Sequence, residues 1–293
     1  MYLPDFELHE AQSPAEAAAL LAEHAPDALL MAGGTDLLVD LKTGRRTAGH
    51  VVWLNRIEAL RGIASDADGV CIGALTTISQ LLDSAVVRDR CRPLLDAASQ
   101  MAAPQIRNLA TIGGNIACAA PCADIPPILM VMSASVELVS ATGTRRVLVD
   151  ELFVGPRATV IRADEVLTAV HIPDAPVRSG AAYARFALRD GNAIAVAASA
   201  ARLVLDDTDC IAAARIALGA VAPMPMMVVS AAAGLTGKQP GDEAFDEAAQ
   251  TASQACRPIT DVRGTADFRR EMVRVMTRRA LQAALDRARE ARS

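Results

Sequence analysis

Ala32-Gly33-Gly34-Thr35-Asp36 and Thr111-Ile112-Gly113-Gly114-Asn115 are two short glycine turns, each bordering an apolar stretch and leading into a helix-compatible segment. A glycine pair lets the backbone approach a ligand closely, and a helix N-terminus offers N–H groups and a favourable dipole. Each turn can therefore aim donors at a phosphate with no side chain in the way. Two such cradles suit a diphosphate better than a single phosphate. Taken singly, either turn also fits a glycine needed only for positive φ. The first follows the apolar run Ala28-Leu29-Leu30-Met31 and precedes Asp36 to Lys42, which reads as one or two helical turns capped by Thr35. The second lies between an aliphatic pair and Ile116-Ala117, and its Thr111 and Asn115 add side-chain hydrogen-bonding groups.

Outward from these turns, the first half of the chain alternates. Ser13-Pro14-Ala15-Glu16 reads as a capping box opening a helix to about His24. Strands are expected at 28–31, 50–54 and 69–73, helices at about 77–83, 92–102 and 125–132, a hairpin over 135–139 and 146–149, and a strand over 164–172. Pro173-Asp174-Ala175-Pro176 reads as a linker. Beyond it, 181–188, 195–205 and 211–221 read as three long strands, followed by helices at about 226–233, 243–256 and 266–289. Strands followed by helices indicate a separate α+β unit with a three-stranded antiparallel sheet. Eight arginines, at 269, 270, 274, 278, 279, 287, 289 and 292, are spread around the last helix or just past it, a pattern expected to face solvent or an acidic neighbour.

The 293 residues suffice for about two domains and a sizeable core. Aromatics make up only 3%, and Trp53, the single tryptophan, is expected in core packing. A net charge of −5 supplies no basic field for nucleic acid. Met1 to Leu8 lacks the features of a secretory signal, which points to a cytoplasmic protein. Ile216 to Gly237 carries no charge over a bilayer-spanning length, but Pro223, Pro225 and three glycines interrupt it. A strand, a turn and a second segment are expected there, not a transmembrane helix. The six cysteines form no Cys-x-x-Cys pair and are expected as free thiols, with Cys118 and Cys122 buried or half-buried after the second turn. His9, His24, His50 and His171 are scattered without ligand spacing, so no metal site is assigned. No catalytic triad or nucleophile constellation is visible, and the turns match neither the Gly-Lys-Ser/Thr phosphate loop nor Gly-x-Gly-x-x-Gly.

AGGTDLLVDLK at 32–42, TIGGNIACAAPCADIPPILM at 111–130 and GAAYARFALRDGNAIAVAA at 180–198 fall in an order and spacing that resembles the flavin-binding medium subunit of the molybdenum hydroxylases. That family includes the carbon monoxide dehydrogenase medium subunit and the flavin domain of xanthine dehydrogenase. The resemblance covers essentially the whole chain and is specific to the family, not to a substrate. It implies an α+β fold: a two-part FAD-binding domain of the vanillyl-alcohol-oxidase type over 1–175 (about 1–55 and 56–175), then a smaller α+β domain over 176–293. It implies that Ala32, Gly33, Gly34, Thr35 and Asp36, together with Thr111, Ile112, Gly113, Gly114 and Asn115, hold the FAD diphosphate and adjoining ribose or ribityl. Asp124 would accept from a cofactor hydroxyl, Leu167 would offer an apolar backbone contact beside the flavin or adenine, and Tyr183 and Arg185 would approach the isoalloxazine. Read without the resemblance, Asp124 is an N-cap, Arg185 and Arg189 are a solvated strand face, Tyr183 is core filling, and Met101 is a helix-core residue. Arg185 stands where relatives more often have lysine, and a cation near the flavin should raise its reduction potential.

The function so implied is an electron relay. A partner subunit bearing molybdopterin hydroxylates the substrate, a small subunit with iron–sulfur clusters passes electrons to the flavin, and an external acceptor such as NAD, a quinone or oxygen is reduced. A dimer of heterotrimers is the family expectation. No cysteine-rich insertion of the 4-hydroxybenzoyl-CoA reductase kind is present. The alternatives are a stand-alone FAD-dependent oxidoreductase, such as the reductase for UDP-N-acetylenolpyruvylglucosamine, and a structural subunit without flavin.

Overall fold

The computed structural model describes residues 2–291. The chain opens with strand β1 (Glu7–Glu10), helix α1 (Pro14–Glu23), β2 (Ala28–Met31), α2 (Leu37–Lys42) and β3 (His50–Trp53). Parallel strands need crossovers, and α1 and α2 supply them for a parallel sheet of order β1-β3-β2. Ser13 caps α1, its Oγ accepting from Glu16 N at 3.1 Å, but the Glu16 carboxylate accepts from Gln12 N at 2.7 Å instead of closing the box on Ser13. α2 starts later than expected: its N-cap is Asp36, without a side-chain cap bond, and not Thr35. Gly34, at φ +72°, already directs its carbonyl to Leu38 N, so Thr35 lies inside the turn that starts the helix.

The middle of the chain runs β4 (Ile63–Asp66), β5 (Gly69–Gly73), α3 (Ile78–Asp83), α4 (Ala85–Arg90), α5 (Arg92–Gln100), α6 (Pro104–Arg107), α7 (Ile112–Ala117), α8 (Ile125–Val131), β6 (Ser135–Ser140), β7 (Gly143–Leu148), α9 (Val149–Leu152), β8 (Phe153–Gly155), β9 (Ala158–Thr159) and β10 (Val166–Pro173). β4, β5, β10, β6 and β7 form an antiparallel sheet in that order. The expected hairpin at 135–149 and the strand at 164–172 are present. Strands β1 and β4 escaped the sequence reading because both are four-residue edge strands, β1 largely polar and β4 half polar, with no apolar run to mark them. Helices α5, α7 and α8 pack with the sheet into one core containing Ile72, Leu94, Ile112, Ile128 and Val170.

The last part is built from β11 (Ser179–Phe186), β12 (Ala197–Leu205), β13 (Ile211–Gly219), β14 (Met226–Met227), α10 (Val229–Ala233), α11 (Asp242–Ala255) and α12 (Ala266–Glu290). Its antiparallel sheet has four strands, not three. Met226 and Met227 pair with Leu218 and Ala217, so the expected helix at 226–233 gives up its first turn to an edge strand. Val273, Met276, Ala280, Leu281, Ala284 and Leu285 form the buried face of α12 on this sheet. Gly180 permits the approach: a Cβ there would lie 2.2 Å from Ala284 O. Two α12 arginines depart from the expected exposure. Arg269, 3% exposed, donates to Val196 O and Asp261 Oδ1, and Arg287 donates to both Asp96 carboxylate oxygens across to α5. A cation at a sheet end satisfies carbonyls that the ladder leaves unpaired, which residue spacing cannot reveal. Arg292 lies outside the described residues.

Among the described residues, no helix is long and apolar enough to cross a membrane. Trp53 is half-buried, with the Arg56 guanidinium 6.0 Å from its ring centroid. The histidines are not scattered in space: His9, His24 and His50 meet at one end of the first sheet, with ring centroids 3.9 to 5.3 Å apart. The expectation of no metal site rested on their separation along the chain, which the fold removes.

Candidate functional site

The first glycine turn abuts the segment that leads into the second. Gly33 leaves the C-terminal end of β2 and lies so close to the segment before Thr111 that a Cβ on it would be 1.8 Å from Leu109 O. The N–H groups of Gly33, Gly34, Thr35 and Asp36 make no hydrogen bond with any described residue. Four consecutive free donors at a strand end, around a residue with positive φ, form a concavity suited to an anion.

The second turn works differently. Ile112 N donates to Thr76 O, Gly113 N to Ala74 O, Gly114 N to Thr111 Oγ1 and Asn115 N to Thr111 O. The backbone donors expected to face a phosphate are therefore spent in seating α7, and Thr111 caps that helix. Gly113 is required by packing, since a Cβ would stand 2.7 Å from Ala74 Cβ. What the turn offers instead is side chains. The Thr111 hydroxyl retains its proton for donation, and Asn115 Oδ1 is buried with no hydrogen-bond partner among the described residues, while Asn115 Nδ2 reaches the Met101 sulfur at 3.8 Å. Met101 itself is buried in the core at the end of α5.

Asp124, Tyr183 and Arg185 come together. The Tyr183 hydroxyl donates to Asp124 Oδ1 at 2.7 Å, and Arg185 Nη1 donates to both Asp124 oxygens at 3.1 Å. This corrects three of the simpler readings. Asp124 makes no N-cap bond, the Arg185 side chain is 4% exposed and not on a solvated face, and Tyr183 does more than fill space. Burial pushes the Asp124 carboxyl up, against Arg185 and the Tyr183 hydroxyl, which favour the carboxylate. Burial, then the Asp124 charge, pushes Tyr183 up well above its ordinary range, so it remains a phenol and a donor. Leu167 is buried in β10 opposite Leu138, in the core beneath α7 with Ile112 and Ile116. Its side chain does not join this group.

Residues 4–175 match the family described as the FAD binding domain in molybdopterin dehydrogenase, and residues 181–284 match the CO dehydrogenase flavoprotein C-terminal domain. The chain belongs to the flavin-binding medium subunits of the molybdenum hydroxylases. This medium subunit is 36% identical to the carbon monoxide dehydrogenase medium chain of Hydrogenophaga pseudoflava, covering 97% of this chain and 98% of that one. It is 32% identical to the xanthine dehydrogenase FAD-binding subunit of Escherichia coli O157:H7, over 94% and 95% of the two chains. Among solved structures, carbon monoxide dehydrogenase from Hydrogenophaga pseudoflava matches with a TM-score of 0.94 at 36% identity, covering 98% of this chain and 99% of that chain. Quinoline 2-oxidoreductase from Pseudomonas putida 86 matches with a TM-score of 0.92 at 28% identity, over 98% and 99%.

The residues present in this medium subunit fit FAD. A diphosphate needs donors, which Gly33 to Asp36 leave free, and a sugar or ribityl hydroxyl needs an acceptor, which the orphaned Asn115 Oδ1 provides. Sequence reasoning missed the groups that hold these pieces in place. Arg157, at φ +55°, donates to buried Asp40 at 2.9 Å and so ties α2 to the loop between β8 and β9. Asp96 accepts from Tyr183 N at 3.2 Å and from Arg287. Neither lies in a motif, and only the juxtaposition of distant segments exposes them. The Asp36 carboxyl is pushed up by burial, with Arg157 opposing and Asp40 adding to the shift.

Cys118 and Cys122 are free thiols. Burial, then the Asp36 charge, pushes Cys118 up from 9.0 to about 11. A group whose folded pKa is raised keeps its proton in the folded chain while the unfolded chain loses it, so stability falls as pH climbs through that interval. We expect urea midpoints to decline between about pH 9 and 11, and Cys118→Ala to flatten that decline, as chemical denaturation across the alkaline range would show.

Proposed function

We propose that this chain acts as the electron relay of a multi-subunit molybdenum hydroxylase, holding FAD across the junction of its two glycine turns. The FAD-binding domain would span 1–175 and the smaller α+β domain 176–293. The observation that carries the reading is the row of four unpaired backbone donors, Gly33 to Asp36, abutting the Leu109–Asn115 segment. The first turn binds the diphosphate through its backbone, with Ala32 leading in from β2. Thr111 and Asn115 serve the adjoining hydroxyls by side chain, while Ile112, Gly113 and Gly114 seat α7 and leave the approach clear. Asp124 fixes Tyr183 and Arg185, so the Arg185 cation has its position set and its charge balanced. Leu167 supports α7 from below through the core.

FAD, when bound, supplies the redox chemistry, exchanging electrons with two different partners. The chain's part is to position it and tune its surroundings. Donor clusters would sit in a small iron–sulfur subunit and substrate hydroxylation in a large molybdopterin subunit, assembled as a dimer of heterotrimers in the cytoplasm, with an external acceptor taking the electrons. Purified chain should be yellow, with stoichiometric FAD released on heating. Gly114→Val should lose it without losing the fold, because a Cβ there meets only Thr111 Oγ1, at 2.9 Å, while the larger branched side chain fills the approach. Circular dichroism separates the two effects. A chain that stays colourless after incubation with FAD, both alone and with its partner subunits, overturns the reading.

A further inference from the structure

We propose that His9, His24 and His50, with Glu7, form a binding site for one divalent transition-metal ion of the zinc type. The topology builds it. β1 and β3 are parallel neighbours with Glu7 beside His50, and His9, two residues on from Glu7, returns to the same face of the sheet. α1 crosses that face, packing Ala17, Ala18 and Leu21 with Val52, and ends by setting His24, its C-cap, against the His50 ring.

His9 Nε2 and His50 Nδ1 are 3.0 Å apart, and one ring nitrogen from each of the three histidines lies within 4.8 Å of the others. The Glu7 carboxylate lies 4.0 Å from His9 Nε2 and 3.7 Å from His50 Nδ1. A tetrahedral ion bound at about 2.0–2.1 Å by imidazole needs ligand atoms roughly 3.3–3.4 Å apart. The His9 and His50 nitrogens are already close to that spacing. The His24 ring has to turn out of its stacked position, moving its nitrogen by up to about 1.4 Å so that its lone pair faces the ion, a rotation that a side chain with no hydrogen bond of its own to described residues can make. In the metal-free arrangement one of His9 and His50 donates to the other, and an ion takes both nitrogens once the donor ring carries its proton on its other nitrogen.

Three imidazoles and one carboxylate select zinc, copper or nickel over calcium or magnesium, which require oxygen ligands. The His9 and His50 side chains are 15% and 26% exposed, so an ion can reach them. The site stands at the N-terminal ends of the strands, whereas Met31, at the other end, leads into the glycine turn. The ion would clamp β1, β3 and the end of α1 together without entering the flavin cradle.

The test is calorimetric titration of the full chain, stripped with a chelator, with zinc chloride. One ion per chain is expected, with His24→Ala weakening binding by at least about tenfold and leaving flavin content unchanged. Cobalt should give the visible spectrum of a nitrogen and oxygen site beyond the flavin band, and zinc should raise the thermal midpoint of the native chain but not of His24→Ala. Absence of stoichiometric binding overturns the proposal. So does undiminished affinity in both His24→Ala and His9→Ala, and so does a thiolate charge-transfer band with cobalt, which would place the ion on cysteines.

Discussion

Gly33→Ala should strip the chain of flavin and lower its thermal midpoint by about 6–12 °C, the consequence of roughly 3 kcal/mol of strain in a unit of this size. The added Cβ would sit 1.8 Å from Leu109 O and 2.6 Å from Leu109 C. Both are backbone atoms, so no rotamer change relieves the clash and the two turns must move apart. Gly34→Ala should cost less, about 1–2 kcal/mol. Its φ of +72° disfavours a side chain, but the nearest atom is Leu38 Cδ1 at 3.0 Å, the far end of a flexible group. Gly114→Ala should be the mildest of the three. Scanning calorimetry with flavin quantitation on the three variants measures the order directly, and a Gly33→Ala protein as stable as Gly114→Ala would show that the close approach of the turns is not needed.

Arg185→Met should be the most damaging change away from the turns, costing about 3–5 kcal/mol because it leaves the Asp124 carboxylate buried and unpaired. Burial already pushes that carboxyl up from 3.8, and losing the guanidinium moves it further in the same direction. The folded variant then binds a proton that the unfolded chain releases just above pH 4, so its stability should be highest in mild acid and fall as pH rises toward neutrality. The double variant Asp124→Asn with Arg185→Met removes the charge altogether and should recover much of the loss, with a flatter pH profile. Urea titrations at several pH values on the single and double variants separate a stranded charge from lost packing: equal instability and equal pH slope in both would contradict the ion-pair account.

Most of the elements were legible in the residues. Ser13-Pro14 at the start of α1, the helix expected at about 77–83, and the apolar runs of β12 and β13 are local signals whose physics is settled within a few residues. Where the reading fell short, the cause was pairing between distant segments. Met226-Met227 looks like the start of a helix until β13 offers it a free edge, and Glu7 to Glu10 looks like a polar lead-in until β3 lies beside it. The site divides in the same way. The two glycine turns and the 180–198 segment could be picked out by motif, but which turn keeps its backbone donors free could not. That depends on Thr76 and Ala74 arriving to take the donors of Ile112 and Gly113, while Thr111 takes those of Gly114 and Asn115 locally.

By itself the sequence determined the alternation of elements and the two turns, because these are written in short-range patterns of glycine, caps and apolar periodicity, while the family and its flavin-binding character were legible only through the resemblance carried by the segments at 32–42, 111–130 and 180–198. Tertiary structure alone decided that Gly33 abuts Leu109, that Asp124 holds Tyr183 and Arg185, that Arg269 and Arg287 are structural, and that three histidines meet. The physical reason is common to all of these contacts. They join residues tens to hundreds of positions apart, and their partners become neighbours only when the sheets and helices bury their apolar faces together.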